Sequence, residues 1–114
     1  MSIKISFKER AEAEKFILIS IIGLTESLLK KSISIENAEN ALFSPYSSHI
    51  LKQEGITPNI IELVDAGCEL EDIASLLPDR LDYNITKIKE QAVSELLQRS
   101  EKKDMHEIKK WLDK

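Results

Sequence analysis

From Glu9 to Lys31 the apolar residues Ala13, Phe16, Ile17, Ile19, Ile21, Leu24, Leu28 and Leu29 recur at helical spacing, and mid-segment they cover nearly every side. A helix lying on a surface shows one apolar stripe, whereas one that is apolar all round runs through the middle of its domain. The apolar-rich run, Phe16 to Leu24, is interrupted by Ser20 and Gly23 and is far shorter than the about 20 residues that span a bilayer. The segment therefore predicts the central helix of a small bundle. Acidic residues in its opening turns and Lys30 and Lys31 at its end suit the helix dipole. Gly23 costs about 1 kcal/mol there relative to alanine, which predicts the close approach of a neighbouring helix backbone.

Short helices follow, each marked by local chemistry. Ser34 predicts a cap for a helix through Leu42, and Ser44 with Pro45 puts a hydroxyl cap before a proline at the first helical position. Gly55 predicts the stop of that helix. Thr57 and Pro58 repeat the arrangement, Ile60, Ile61, Leu63 and Val64 supply the apolar face, and Gly67 predicts the next stop. Cys68 to Leu77 reads as a further helix, closed by Pro78.

The cleanest amphipathic stripe is Leu81, Ile85, Ile88, Ala92, Val93, Leu96 and Leu97, and Met105, Ile108, Trp111 and Leu112 continue it. Gln98 to Lys103 has no apolar residue, and Asp104 with Glu107 suits a fresh cap, so a break near Ser100 is left open. At the other end Ile3, Ile5 and Phe7 alternate with polar neighbours, as a short strand or an extended arm would. A lone strand needs an edge, and the sequence offers no second convincing one. The expected core is Phe16, Ile17, Ile21, Leu24, Leu63, Leu77, Ile88 and Leu96. The fold class is all-α: residues 1–114 form a single helical domain, a compact bundle of five or six helices, with residues 3–7 extended as an option. A chain of 114 residues buries roughly two-thirds of its unfolded surface, enough for one core without a metal or disulfide.

Little in the chain suggests catalysis. Cys68 is the single cysteine, and the two histidines, His49 and His106, stand far apart in the sequence, so neither a disulfide nor a Cys/His zinc site is expected. Cys68 lies between a helix stop and a helix start, where cysteine is usually a small apolar filler. Glu69, Glu71 and Asp72 lack the glycine and carbonyl pattern of a calcium loop, and no Glu-x-x-His pair is present for a di-iron bundle. We expect no enzyme activity, no cofactor and no metal. An enzyme would need a pocket lined by His49, Cys68 and carboxylates.

Charge is distributed unevenly. Residues 1–31 carry 6 basic and 4 acidic side chains, residues 32–82 carry 2 and 10, and residues 83–114 carry 8 and 6. The −8 middle block repels phosphate backbones and attracts basic surfaces. Within it Glu62, Asp65, Glu69, Glu71, Asp72, Asp79 and Asp82 fall in 21 residues whose one basic side chain is Arg80. These seven, with Tyr83, are the candidate partner-binding residues. The basic tail with Lys102, Lys103, Lys109 and Lys110 is interleaved with acids and has little aromatic support beyond Trp111. No nucleic acid and no membrane are expected as partners, and a homodimer is left open. No signal-peptide pattern opens the chain, so the expected location is cytoplasmic.

The stretches ALFSPY (Ala41 to Tyr46) and AGCELEDIASLLP (Ala66 to Pro78), with the opening ISF and the following EAEKFI, resemble a family of small bacterial proteins designated only as a domain of unknown function. The likeness runs to about Leu97 and implies a small cytoplasmic bacterial protein with no assigned enzymatic activity. By type, the chain is also similar to the immunity proteins of contact-dependent growth inhibition systems. The leading expectation is a non-enzymatic acidic module that binds and neutralises a basic, nuclease-type toxin domain. The alternative is a small self-associating helical regulator or adaptor, which an exposed apolar stripe would favour.

Overall fold

The computed structural model describes residues 1–100 and 111–113. A two-residue strand β1 (Lys4–Ile5) precedes α1 (Arg10–Leu29), and α2 (Ile35–Ala41), α3 (Pro45–Gln53), α4 (Pro58–Cys68) and α5 (Leu70–Leu76) follow. A 3₁₀ turn (Pro78–Arg80) leads into α6 (Leu81–Ser100), and β2 (Leu112–Asp113) comes last. The chain is mostly helical and compact, as expected of an all-α domain. Among the described residues four helices have nine residues or more, while α2 and α5 have seven, so a bundle of five or six full helices is not what forms.

The largest contact is between α1 and α6. Glu26 meets Lys89 at 2.9 Å and Glu14 meets Arg99 at 3.2 Å, so the two helices run antiparallel. α4 packs on both. Leu18, Ile21, Phe43, Ile60, Val64, Leu70 and Ile85 are fully enclosed between them. Of the expected core, Ile17, Ile21, Leu63 and Ile88 are buried and Phe16, Leu24 and Leu96 are half-buried. Leu77 is the error: α5 ends at Leu76, and Leu77 turns outward, 59% exposed. The expected Cys68–Leu77 helix is divided, since α4 continues through Cys68 and Glu69 stands between it and α5 without a side-chain cap bond.

Caps that depend on neighbouring residues form as expected. Ser34 accepts from the Asn37 amide at 3.0 Å while Asn37 Oδ1 accepts from the Ser34 amide at 2.9 Å, closing a capping box. Ser44 accepts from the Ser47 amide ahead of Pro45. Gly55, at φ 78°, ends α3, and the amides of Gly55 and Ile56 reach back to Lys52 O and Leu51 O. The same pattern ends α1 with a lysine: Lys31 sits at φ 59°, and Lys31 and Ser32 donate to Leu28 O and Ser27 O.

Thr57 departs from its expected role. Its hydroxyl does not cap α4 but donates to Glu14 Oε2 at 2.6 Å, and the same carboxylate oxygen accepts from the Thr57 amide at 2.8 Å. A buried acid of α1 thus takes up both donors of Thr57, while the Ile60 amide donates to the Thr57 carbonyl. Neither helical glycine has its expected role. Gly67 lies inside α4, where a Cβ would run into the Phe43 ring; it permits close packing and does not stop the helix. Gly23, expected to admit a neighbouring helix, has open space around the position of a Cβ among the described residues.

The missing edge for the N-terminal strand is the chain's own other end. Lys4 pairs with Asp113 and Ile5 with Leu112, antiparallel, and the Ser6 amide donates to Trp111 O at 2.9 Å. Trp111 packs with Phe7 and Phe16 at centroid distances of 6.0 and 5.2 Å. Trp111 and Leu112 therefore do not continue the helical stripe. Met105, Ile108, His106, the Asp104/Glu107 cap and Lys102, Lys103, Lys109 and Lys110 lie outside the described residues, as does any break just after Ser100.

Candidate functional site: an acidic flank and the recess beside it

Helix α4 buries Ile60, Leu63, Val64 and Gly67 on one side. Glu62, Asp65 and Glu69, spaced by three and four, consequently share the opposite side and are all exposed. The chain turns at Glu69, so Glu71 and Asp72 open α5, where acidic side chains suit the positive end of the helix dipole. Leu70 anchors that turn in the core. Asp79 in the 3₁₀ turn and Asp82 in the first turn of α6 are exposed as well. Among the described residues none of these seven carboxylates makes a salt bridge.

Tyr83 is exposed too, but its ring already has company. The Arg80 guanidinium lies 5.2 Å and the Lys87 ammonium 5.7 Å from the ring centroid. The chain's own cations thus occupy the Tyr83 end of the acidic run, whereas no ion pair reaches the α4–α5 part. A carboxylate of α2 joins the α4 part of the run. Burial, and then the charges of Asp65, Glu69 and Glu39, push the Cys68 thiol above its ordinary value. Glu39 belongs to this cluster, a connection invisible in a sequence where it stands nearly thirty positions from Cys68.

Beside that cluster is an open recess of about 310 Å³ between α3 and α4, lined by Pro45, Ser48, His49, Lys52, Asp65, Cys68 and Glu69. It brings together the side chains an enzyme reading would require. Its electrostatics oppose nucleophilic chemistry, because a reactive cysteine needs a lowered pKa and Cys68 is shifted the other way. No hydrogen bond joins His49 to Cys68 among the described residues, and no group of three or more His, Cys, Asp or Glu side chains there could hold a metal ion. Ser48 Oγ is buried at the recess without a hydrogen-bond partner.

The fold and the flank define a small helical protein with an acidic α4–α5 flank. The chain belongs to the family described as "Protein of unknown function (DUF3969)", whose model matches residues 8–113. No curated protein and no solved structure matches it. Among the described residues, no helix is long and apolar enough to cross a membrane.

Proposed function

We propose that this protein is a binding module whose acidic α4–α5 flank docks on a basic protein surface, in the manner of an immunity protein covering the substrate cleft of a nuclease-type toxin. The observation that carries the reading is that Glu62, Asp65, Glu69, Glu71 and Asp72 are exposed and without ion pairs. Five carboxylates on two successive helices repel one another, and a basic partner would turn that repulsion into attraction and speed encounter. A nuclease cleft is basic because its substrate is a polyanion. Tyr83 and the neighbouring Asp79 and Asp82 would form the rim of such an interface.

The test is co-expression with the product of the neighbouring gene, scoring growth rescue and complex formation. Binding that weakens with salt, with rescue lost in the Glu71→Lys/Asp72→Lys variant, supports the reading. A neighbouring product that is non-toxic, or toxic but unbound, removes the immunity role. Binding that survives both charge reversal and high salt moves the interface away from the acidic flank.

A further inference from the structure

Gly23 is the least explained residue of α1. Mid-helix glycine is destabilising relative to alanine, and close packing commonly accounts for one, as at Gly67 against Phe43. Among the described residues no atom comes within 4 Å of the place a Gly23 Cβ would take. One turn before it, Ile19 is 45% exposed on the same face. The antiparallel register of α1 and α6, fixed by Glu26 with Lys89 and Glu14 with Arg99, puts Ile19 level with the stretch between Val93 and Leu97. Val93 and Leu97 continue the row that starts at Lys89, one turn apart along α6, and both are exposed, Leu97 at 60%. An apolar strip with a glycine gap therefore runs along the outside of the α1–α6 pair.

We infer that this strip is the interface of a homodimer in which α1 crosses α1 of a second copy, antiparallel, about a two-fold axis near residue 21. The charges bordering the strip select this occupant. Along this face of α1, where Ile19, Gly23 and Lys30 are exposed and Glu12, Lys15 and Glu26 half-buried, the order is Glu12, Lys15, Ile19, Gly23, Glu26, Lys30, a sequence of signs that is self-complementary when reversed. The axis sets Ile19 of one copy over Gly23 of the other, the gap admitting the side chain. It also brings Lys15 beside Glu26 and Glu12 beside Lys30 across the interface, twice by symmetry. Lys15 makes no salt bridge within the described residues. A parallel crossing would bring like charges together instead. The surface is separate from the α4–α5 flank, and the inference does not rest on the proposed docking role.

Sedimentation velocity of the full chain, from micromolar to near-millimolar concentration, tests it. The wild type should pass from monomer to dimer over that range. Ile19→Lys should weaken the dimer roughly 30-fold or more, as expected for a central apolar anchor, and Gly23→Gln should do the same by filling the gap. Circular dichroism should show both variants folded, since both positions face outward. Lys15→Glu alone and Glu26→Lys alone should each stay monomeric, while an equimolar mixture of the two should form the heterodimer. A wild type that is monomeric throughout, a dimer unaffected by Ile19→Lys, or a mixture no better than its components would overturn the inference. So would loss of the dimer in Glu71→Lys/Asp72→Lys, which would assign it to the acidic flank.

Discussion

The α1–α6 pair and the α4–α5 flank handle negative charge in opposite ways. On the pair, Glu14, Glu26 and Glu95 are each matched to a cation, at 3.2, 2.9 and 2.8 Å from Arg99, Lys89 and Arg99. On the flank, Glu62, Asp65, Glu69, Glu71 and Asp72 make no such contact among the described residues. Charges in the first region join parts of the fold; those in the second face solvent without an ion pair among the described residues. Glu14 shows how far the internal pairing goes. Burial alone would raise its pKa, but hydrogen bonds from the Thr57 hydroxyl and amide, and then from Arg99, outweigh burial and hold the carboxyl below its ordinary value. One carboxylate thereby links α1, the start of α4 and the end of α6.

Substitutions in the two regions should accordingly differ most where the first is cut. Leu18→Ala, in the fully enclosed part of α1, should lower stability by about 3 to 5 kcal/mol in urea denaturation. Glu14→Ala should cost about 2 to 4 kcal/mol. That is less than for a wholly buried pair, because Arg99 keeps 21% of its side-chain surface exposed and can turn to water. The loss would come from the orphaned Thr57 hydroxyl and amide and from Arg99 together, and Thr57→Val, which removes the hydroxyl bond alone, should reproduce part of it.

The same group predicts a pH dependence. Because the folded pKa of Glu14 is depressed, its contribution is complete above the unfolded carboxylate value, about 4.3, and drains away as pH falls from there through the folded value. Urea midpoints measured from neutral to acidic pH should fall in the wild type and fall less steeply in Glu14→Gln. Equal slopes would mean that other carboxylates carry the acid sensitivity.

The glycines sharpen the comparison at smaller scale. Gly67→Ala forces a methyl into the Phe43 ring and should cost about 1 to 3 kcal/mol. At a concentration where the protein is monomeric, Gly23→Ala should raise stability by up to about 1 kcal/mol. Thermal unfolding of the two variants, side by side, would expose any reversal of these signs.

How much of this was legible in the sequence follows the distance over which each contact acts. Ser34 with Asn37, Ser44 with Pro45, and Gly55 act within one turn, and their residue types announce them. Thr57 looked like another hydroxyl cap because its partner, Glu14, lies 43 positions away. The glycine expectations failed for the same reason: only the fold says that Phe43 meets Gly67 and that, among the described residues, nothing meets Gly23. Leu77 fits the spacing of a buried helical face, but Pro78 pulls the chain out of α5 before that position. β1 needed an edge, and the edge is at the opposite end of the chain. For the flank, alternating burial along α4 was readable from the sequence, and the exposed positions of Glu62, Asp65 and Glu69 follow from it. The contribution of Glu39 and the recess uniting His49 with Cys68 were not, because both depend on how α2 and α3 pack.

The smallest stability effect and the largest binding effect are expected at the same residues. Glu62→Lys/Glu69→Lys should unfold within about 0.5 kcal/mol of the wild type, as surface changes do. The direct test of the whole account is to titrate this variant and the wild type, both checked for equal thermal stability, against the purified product of the neighbouring gene by calorimetry at low and high salt. The account predicts a wild-type complex that weakens as salt rises and a variant, equally stable, that binds far more weakly. A variant that binds as tightly as the wild type, with the same salt dependence, would contradict it.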